Sequence, residues 1–433
     1  MLNTSSALVS FNDENLSDSS LQLKTSHVEV MHEDARELLI FLYQDQLEND
    51  DASILIKDDT LNLFVGSAIS YRGLKPVDGA TKIKSSVATD SLAPRTKLKI
   101  LGTLPFDVQG DPSQLYLPTL AITATPSRVA ITVVAVDDQQ CNDLISDAIR
   151  KLTSGVTVSW PNRALLERLE LTYFDDEPGW LRSVQYALDQ INFGNFDKIV
   201  LSRQASMPQT GGFSRTAIIN QLNQTYPQAL TFSTNNLIGA SPELLIEVTQ
   251  SHIQSHPLAG TAPKDQAKKL QASTKDQREH KYVTTFIKNR LLPFCQYLTV
   301  PDSPSISDFG NICHLGTRIA GELINSGRHI SSLELLLAIH PTPAVAGLPQ
   351  DQAIAFIQRY ESPSRHLYAG AVGYEDFEGN GQWHLIIRTI AILENSIAFQ
   401  AGVGLVAESN PLSELLELEE KINSVLTITS TST

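Results

Sequence analysis

Two short segments place carboxylates at a spacing that suits metal chemistry. Asp276 and Glu279 stand three residues apart in a stretch with helical periodicity, so their side chains share one face. Glu414 and Glu417 have the same spacing, and Lys421 follows four residues later. Mg²⁺ prefers oxygen ligands and usually takes one or two carboxylates, so two such helices facing each other can hold it. A solvated helix face with a Glu–Lys pair is the commoner explanation of either segment taken alone.

Lys198 and Glu243 are of the types that acid–base chemistry uses. Alternation in the strand-like run DKIVLSR puts Lys198 on one face with Val200 and Ser202. If that face is buried, desolvation favours the neutral amine, which accepts a proton; an ordinary edge-strand lysine is the alternative. Glu243 follows Ala-Ser-Pro at the start of a strand, and an apolar setting there raises a carboxyl pKa and suits a proton donor. Taken alone, Glu243 also fits a turn carboxylate.

Several common catalytic motifs are absent from the sequence. It contains neither a GxSxG nucleophile elbow nor a GxxxxGK[ST] phosphate-binding loop. The segment AGVG lacks the third glycine of a dinucleotide-binding fingerprint. His252 and His256 are four residues apart, but their surroundings predict a strand and a loop instead of a zinc-binding helix. A serine hydrolase, a nucleotide hydrolase and a zinc enzyme are therefore poorly supported.

The composition narrows the class of partner. The 433 residues contain 33 Lys and Arg against 48 Asp and Glu, a formal net charge of −15. Nonspecific binding to nucleic acid or to an anionic membrane needs a basic face, so neither is expected, whereas a small anionic substrate remains compatible. Three scattered cysteines favour reduced thiols, and we find neither a signal peptide nor a membrane-spanning run. We therefore expect a cytoplasmic protein.

The elements that would position these residues mix strands and helices irregularly. Helices are predicted over 176–192, 264–298, 331–338, 349–360 and 411–426, and strands over 196–203, 229–233, 244–248, 369–374, 384–393 and 396–402. The last two strands are separated only by Glu394 and Asn395, which favours antiparallel pairing. The pattern predicts an α+β protein with large antiparallel sheets.

Eight segments, taken in order, resemble the chorismate-utilising enzymes, a family that includes isochorismate, salicylate, anthranilate and aminodeoxychorismate synthases. They are FDKIVLSR, IGASPELL, PLAGTAPK, DQREHKYV, HLGT, HPTPAVAG, YAGAVGYED and AGVGLVAESNPLSELLELEEK. The resemblance implies the fold of the anthranilate synthase large subunit, with antiparallel sheets packed as a sandwich and flanked by helices. Residues 165–428 would be the chorismate-binding catalytic region, 26–160 a variable N-terminal part of the same fold, and 1–25 a flexible arm.

Within the family, the resemblance is nearest to the isochorismate synthases. Lys198 stands where water-using members carry a general base, and ammonia-using members usually lack a lysine there. Ala259 stands where aminodeoxychorismate synthases typically have a nucleophilic lysine, and HPTPAVAG is similar to the isochorismate synthase version of its segment. The resemblance implies an isomerase that converts chorismate to isochorismate by attack of water at C2 and loss of the C4 hydroxyl, without a glutaminase subunit. The oligomeric state is left open.

The resemblance also implies a role for each site residue. Glu279 and Glu417 would bind Mg²⁺, while Asp276 and Glu414 would hold metal-bound waters; some relatives have a longer glutamate in place of Asp276. Lys198 would be the general base and Glu243 the general acid. Further contacts to chorismate would come from Gly260, Thr261, His314, Tyr368, Arg388, Gly402, Gly404 and Lys421. One departure is His366, where relatives commonly have glycine.

Three alternatives remain open on the sequence. A salicylate synthase makes isochorismate and then eliminates pyruvate with a nearly identical residue set. A non-catalytic chorismate-binding protein would share the scaffold, although retention of Lys198, Glu243, Glu279 and Glu417 argues against it. An ammonia-using subunit is disfavoured by Lys198. The product could feed siderophore, menaquinone or salicylate biosynthesis, and no residue chooses among them.

Overall fold

The computed structural model describes residues 9–15, 22–32, 35–88, 92–156, 158, 170–209, 214–325, 327 and 329–429. The strands of the first part of the chain are β1 (Val9–Phe11), β2 (Lys24–Met31), β3 (Ala52–Lys57), β4 (Thr60–Val65), β5 (Ile69–Gly73), β6 (Lys99–Leu104), β7 (Ser113–Leu117), β8 (Leu120–Ala124) and β9 (Arg128–Ala135). Its helices are α1 (Ala35–Leu42), α2 (Gln44–Glu48), α3 (Pro76–Ser85) and α4 (Asp138–Leu152).

The second part of the chain supplies the remaining elements. Its strands are β10 (Thr172–Tyr173), β11 (Lys198–Pro208), β12 (Leu230–Thr234), β13 (Leu237–Ser241), β14 (Leu244–Thr249), β15 (His252–His256), β16 (Leu258–Pro263), β17 (Cys295–Thr299), β18 (Ser305–Phe309), β19 (Ile312–Gly316), β20 (Ile319–Leu323), β21 (Gly347–Leu348), β22 (Ala371–Asp376), β23 (Gly381–Leu385), β24 (Thr389–Ile392) and β25 (Ser396–Leu405). Its helices are α5 (Glu177–Asn192), α6 (Arg215–Thr225), α7 (Ala267–Ala272), α8 (Thr274–Leu291), α9 (Ser332–Ile339), α10 (Gln350–Tyr360) and α11 (Pro411–Thr429).

The described strands form two large sheets and one small one. One large sheet has the order β1-β5-β7-β6-β22-β23-β14-β15-β20-β17. The other has the order β10-β11-β25-β24-β13-β12-β3-β4-β8-β9-β2, with β21 beside β11. Strands β16, β19 and β18 form the small sheet. Both parts of the chain contribute to both large sheets, because β6 pairs with β22 and β3 pairs with β12.

Apolar side chains from the two large sheets pack face to face. Phe64 and Phe232 from one sheet share a buried cluster with Leu101 and Val372 from the other. Polar contacts also cross the gap, for example the 2.8 Å hydrogen bond from Asn235 Nδ2 to Thr103 Oγ1. The two inner faces thus form a sandwich core, with helices outside, as the α+β prediction required.

Two predicted elements are interrupted in the structure. The helix expected over 264–298 is divided, because the Ser273 hydroxyl accepts the backbone N–H of Asp276 and caps a new helix, α8. The chain then enters β17 at Cys295. The strand expected over 384–393 is divided at Arg388, whose backbone is left-handed with φ of 55°. There the chain leaves one large sheet at β23 and joins the other at β24.

The N-terminal segment differs from the loose arm expected over 1–25. Residues 1–8 and 16–21 lie outside the described residues, but Val9–Phe11 pairs in parallel with Ile69–Tyr71 at a sheet edge. Asp13 anchors the following turn by accepting a 2.5 Å hydrogen bond from the Tyr71 hydroxyl. The apolar residues Val9 and Phe11, on the same face of the strand, and the buried Tyr71 explain why this segment is ordered despite the Ser- and Asn-rich sequence around it.

None of the described helices is both long and apolar enough to cross a membrane.

The sandwich core predicts a large stability effect at Phe232. This side chain is fully buried between the sheets, so Phe232→Ala should lower the free energy of unfolding by about 3–5 kcal/mol in urea denaturation. Phe193→Ala is the matched control, because Phe193 is 78% exposed and its truncation should cost less than about 0.5 kcal/mol. Equal losses in the two variants would contradict the placement of Phe232.

Candidate active site

Lys198 lies at the start of β11, in the interior of the protein. Its side chain is 0% exposed, which excludes the edge-strand alternative, and its Nζ lies 3.0 Å from Oε1 of Glu279 on α8. Strand β25 runs antiparallel beside β11 and places Gly404 opposite Val200. A Cβ on Gly404 would lie 2.9 Å from Lys198 Cε and would overlap the Glu279 carboxylate. Glycine is therefore needed there for the lysine and glutamate to meet.

Lysine side chains form ion pairs with the carboxylates of α11, and one of these lysines comes from α8. Lys275 Nζ lies 2.6 Å from Oε1 of Glu414, and this contact joins the two helices. Lys421 Nζ lies 2.7 Å from Oε1 of Glu417 and donates a 2.9 Å hydrogen bond to the Gly402 carbonyl on β25. Glu414 is buried, as is Glu279, so neither segment is the solvated helix face that its spacing alone would suggest.

Burial and mutual repulsion set the protonation of these carboxylates. Burial raises the pKa of Asp276, and the negative charge of Glu279 adds to the rise. Burial and the charge of Glu417 likewise raise the pKa of Glu414. Burial alone would raise the pKa of Glu279 as well, but the charges of Lys198 and Lys275 outweigh burial and lower it. The four carboxylates, Asp276, Glu279, Glu414 and Glu417, are therefore electrostatically coupled.

Glu243 is a buried acid at the entrance to β14. It is 2% exposed, and no described residue forms a hydrogen bond with its Oε1. Burial raises the pKa of Glu243 to about 8, although the charges of Lys198 and Arg388 partly oppose the shift. At neutral pH the carboxyl is thus largely protonated, and it can donate a proton.

Arg388 presents a guanidinium to the same region. Its Nη2 lies 3.4 Å from His314 Nε2, while its Nε finds no hydrogen-bond partner within the part of the chain that the structure describes. Because arginine only donates, His314 must accept at Nε2 and carry its proton on Nδ1, which lies 3.0 Å from Thr261 Oγ1. Burial, together with the charge of Arg388, lowers the pKa of His314 well below its ordinary value, consistent with a neutral ring. Arg388 therefore keeps donor capacity for an anion.

One cavity connects most of the predicted site residues. It encloses about 610 Å³ of space free of protein atoms, part of it open to solvent. The predicted residues that line it are Glu243, Gly260, Thr261, Glu279, His314, Tyr368, Arg388, Gly402, Gly404, Glu417 and Lys421. Lys198, Asp276 and Glu414 are not in its lining. Lys198 contacts Glu279, which does line the cavity, and Glu414 forms an ion pair with Lys275.

Glycine at 260 has a steric reason of its own. Its backbone has φ of 77°, and an added Cβ would lie 3.0 Å from Cβ of Asp276. The bend lets β16 pass close to the first turn of α8 while Thr261 stays opposite His314 in the small sheet. The same residue thus brings the carboxylate helix and the Thr261–His314 pair to one cavity.

Two residues next to the predicted site residues, Lys275 and Arg365, were not predicted from the sequence. Lys275 immediately precedes Asp276, so its position in the first turn of α8 was visible, but its contact with Glu414 depends on the approach of α11. Arg365 lines the cavity and is buried. The neighbouring His366 has left-handed backbone, with φ of 46°, a conformation that glycine adopts without strain.

The donor set of the cavity fits a hard divalent cation. Across the described ranges, no group of three or more His, Cys, Asp or Glu side chains lies close enough together to hold a metal ion. Besides the acid Glu243, two glutamates line the cavity, Glu279 and Glu417, and they offer carboxylate oxygens as ligands. In addition, the buried Oε2 of Glu414 has no hydrogen-bond partner among the described residues. This arrangement suits Mg²⁺, which usually takes one or two protein carboxylates and completes its shell with water and substrate oxygens.

Comparisons with a family model and with curated proteins point to the same protein family. The family model described as chorismate binding enzyme matches residues 81–430. Isochorismate synthase DhbC of Bacillus subtilis is 35% identical over 262 residues, which are 56% of this chain and 65% of that protein. The chain spans 53% to 65% of the length of the first three curated relatives that it matches.

Two solved structures show the same fold. The menaquinone-specific isochorismate synthase MenF of Escherichia coli superposes with a TM-score of 0.79 at 22% identity, covering 96% of this chain and 97% of that one. Anthranilate synthase component I of Streptococcus pneumoniae gives a TM-score of 0.66 at 18% identity, covering 94% and 93%. These likenesses confirm the predicted α+β fold of the anthranilate synthase large-subunit type.

The buried acid predicts a pH dependence of stability. The pKa of Glu243 is about 8 in the folded protein against an ordinary value of 4.5, so the folded state binds this proton more tightly. The stabilisation is complete below the ordinary value and is lost as the pH rises through about 8. Glu243→Gln cannot lose a proton. Between about pH 5 and pH 9 the wild type should therefore lose, relative to Glu243→Gln, on the order of a few kcal/mol in urea unfolding. Parallel profiles for the two proteins would contradict the buried, protonated carboxyl.

Proposed function

Because the chain belongs to the chorismate binding enzyme family, as its motifs led us to expect, we propose that it is an isochorismate synthase. The reaction would convert chorismate to isochorismate, its isomer. The observation that carries this proposal is the convergence of a protonated acid, Glu243, an arginine with free donors, Arg388, and the Glu279 carboxylate on one cavity. A relative that is 35% identical carries the same activity in its name.

The charges around the cavity support a dianionic substrate. Arg388 would bind the enolpyruvyl carboxylate through its free donors, and Tyr368 would add a hydroxyl donor from the cavity wall. Burial raises the pKa of Tyr368 to about 12, so this phenol keeps its proton and can donate. Gly402 would let the ligand approach the backbone of β25, and Thr261 would contact the ring.

Mg²⁺ would complete the binding of the ring carboxylate. Glu279 and Glu417 are the residues that would hold the ion, with Asp276 and Glu414 supporting its bound waters. When bound, the ion would supply positive charge that fixes the ring carboxylate. Lys421 already neutralises Glu417 at 2.7 Å, so the chain itself moderates the repulsion among these acids.

Lys198 and Glu243 would divide the proton transfers between them. Once its ammonium group has given up a proton, the neutral amine of Lys198 would accept a proton from a water molecule, whose oxygen forms a bond to C2 while the ring double bonds shift and the C4–O bond breaks. Glu243 would donate a proton to the departing C4 hydroxyl, because hydroxide is a poor leaving group at neutral pH. One water enters and one leaves, so substrate and product are isomers. The protonated state of Glu243 supports its assignment as the acid.

The acid and base assignments predict a loss of turnover in two variants. Lys198→Ala and Glu243→Gln should each lower kcat by about 10²-fold or more, measured as isochorismate formed from chorismate with Mg²⁺. Lys281→Ala is the control, because Lys281 is an exposed lysine on α8 and should keep kcat within about twofold.

Three outcomes of this assay would count against the proposal. Full activity in Lys198→Ala or Glu243→Gln would refute the role of that residue. Salicylate and pyruvate appearing at the enzymatic rate, without a partner lyase, would make the chain a salicylate synthase instead. Chorismate binding without turnover in the wild type would favour a non-catalytic binding protein.

The metal assignment predicts a changed Mg²⁺ dependence. Glu417→Gln should raise the Mg²⁺ concentration needed for half-maximal activity by about tenfold or more, because a carboxylate ligand is replaced by a neutral amide. Glu420→Gln, on the exposed side of the same helix, is the matched control and should leave that concentration unchanged. An identical Mg²⁺ profile in Glu417→Gln and wild type would exclude Glu417 as a ligand.

A further inference from the structure

Two short strands, β21 and β10, pair with separate parts of the edge of β11 that faces away from β25. At its start, β21 pairs with Lys198 and Ile199, and the Val200 N–H donates a 2.8 Å hydrogen bond to the Ala346 carbonyl. Near its far end, β10 pairs with Ala205 and Ser206. Between these two short strands, none of the described strands lies beside the backbone from 200 to 202 on this side to complete its hydrogen bonds.

A buried ion pair fills this gap. Glu361 accepts hydrogen bonds from the Ser202 N–H at 2.6 Å and from the Ser202 hydroxyl at 3.0 Å. Arg365 donates from Nη2 to the Val200 carbonyl at 2.8 Å and from Nε to Glu361 Oε2 at 2.7 Å. The side chains of Arg365 and Glu361 are 2% and 6% exposed. Together they replace the backbone groups that an adjacent strand would supply.

The donors of Arg365 are almost all used within the protein. Besides Glu361 and Val200, it donates from Nη1 to the Val345 carbonyl at 2.5 Å. Arg365 lines the active-site cavity, as Arg388 does, yet only Arg388 has a buried nitrogen without a hydrogen-bond partner. This difference separates an arginine that can bind an anion from one that holds protein segments together.

We propose that the Glu361–Arg365 pair is a positioning element that closes the edge of β11 and thereby fixes Lys198 for catalysis. The pair joins three parts of the site: β11, the segment containing Val345, and Tyr368, whose N–H donates a 2.8 Å hydrogen bond to the Arg365 carbonyl. Neither side chain contacts substrate in this assignment. The catalytic part of the inference rests on the proposed function, while the structural part does not.

The ion pair predicts separable effects on strand protection and on turnover. In Glu361→Gln, amide hydrogen exchange measured by mass spectrometry should speed up in peptides covering 198–203, because the amide cannot accept both Ser202 hydrogen bonds and pair with Arg365. The value of kcat should fall about tenfold to a hundredfold, with KM for chorismate within about threefold, because Lys198 is displaced while Arg388 is not. Arg365→Lys, which keeps the charge but loses the planar fork, should show smaller changes in the same direction.

Asp175→Asn is the matched control. Asp175, whose side chain is 29% exposed, pairs at 2.6 Å with the buried side chain of Arg203 on the same strand, and its loss should leave both exchange in 198–203 and kcat unchanged. If Glu361→Gln does not fold, Ser202→Ala removes one of the two Ser202 hydrogen bonds and should show the same pattern more weakly. Unchanged exchange and kcat in the variants would overturn the proposal, as would a large rise in KM at constant kcat. If the wild type makes no isochorismate, the function fails, while the exchange comparison still decides the structural part.

Discussion

A lysine and a glutamate that meet inside the protein constrain the whole site. Lys198 and Glu279 are both buried, and Lys198 Nζ lies 3.0 Å from Glu279 Oε1. Each side chain neutralises the charge of the other, which would otherwise be costly to remove from water. Breaking such a pair leaves one charge uncompensated, and the surrounding elements must therefore keep it intact. Strand β25 passes over the pair with a glycine, α8 supplies the glutamate from its first turns, and β11 supplies the lysine.

The same principle of local neutralisation extends across the cavity. A net charge of −15 opposes the binding of the dianionic substrate that we propose, yet three lysines pair with Glu279, Glu414 and Glu417, and Arg388 is left with free donors. Net charge argues against polyanionic partners, whose contacts spread over a surface. It says little about a small ligand, because buried groups act over a few ångströms with little screening.

Much of the site was predictable from the sequence, and the remainder depends on tertiary contacts. Helical spacing predicted that Asp276 shares a helix face with Glu279, and Glu414 with Glu417. The family motifs pointed to most of the residues that line the cavity. The burial of Lys198 could not be deduced from alternation, because alternation does not tell a central strand from an edge. The break at Arg388 has no local signal either, since a non-glycine residue with positive φ depends on its surroundings. The partners of Lys275 and Glu361 come from distant segments of the chain.

The shared sheets have a consequence for how the protein acquires its site. Leu104 pairs with Ala371, and Ile54 pairs with Ser233, so strands early in the chain complete sheets whose other members are synthesised much later. Pairing over such separations requires closure of very long loops and is intrinsically slow. During translation the early strands must wait, with unpaired edges, until β12 and β22 emerge from the ribosome. The candidate active-site cavity is therefore a late product of folding, and nascent chains would depend on protection from aggregation until then.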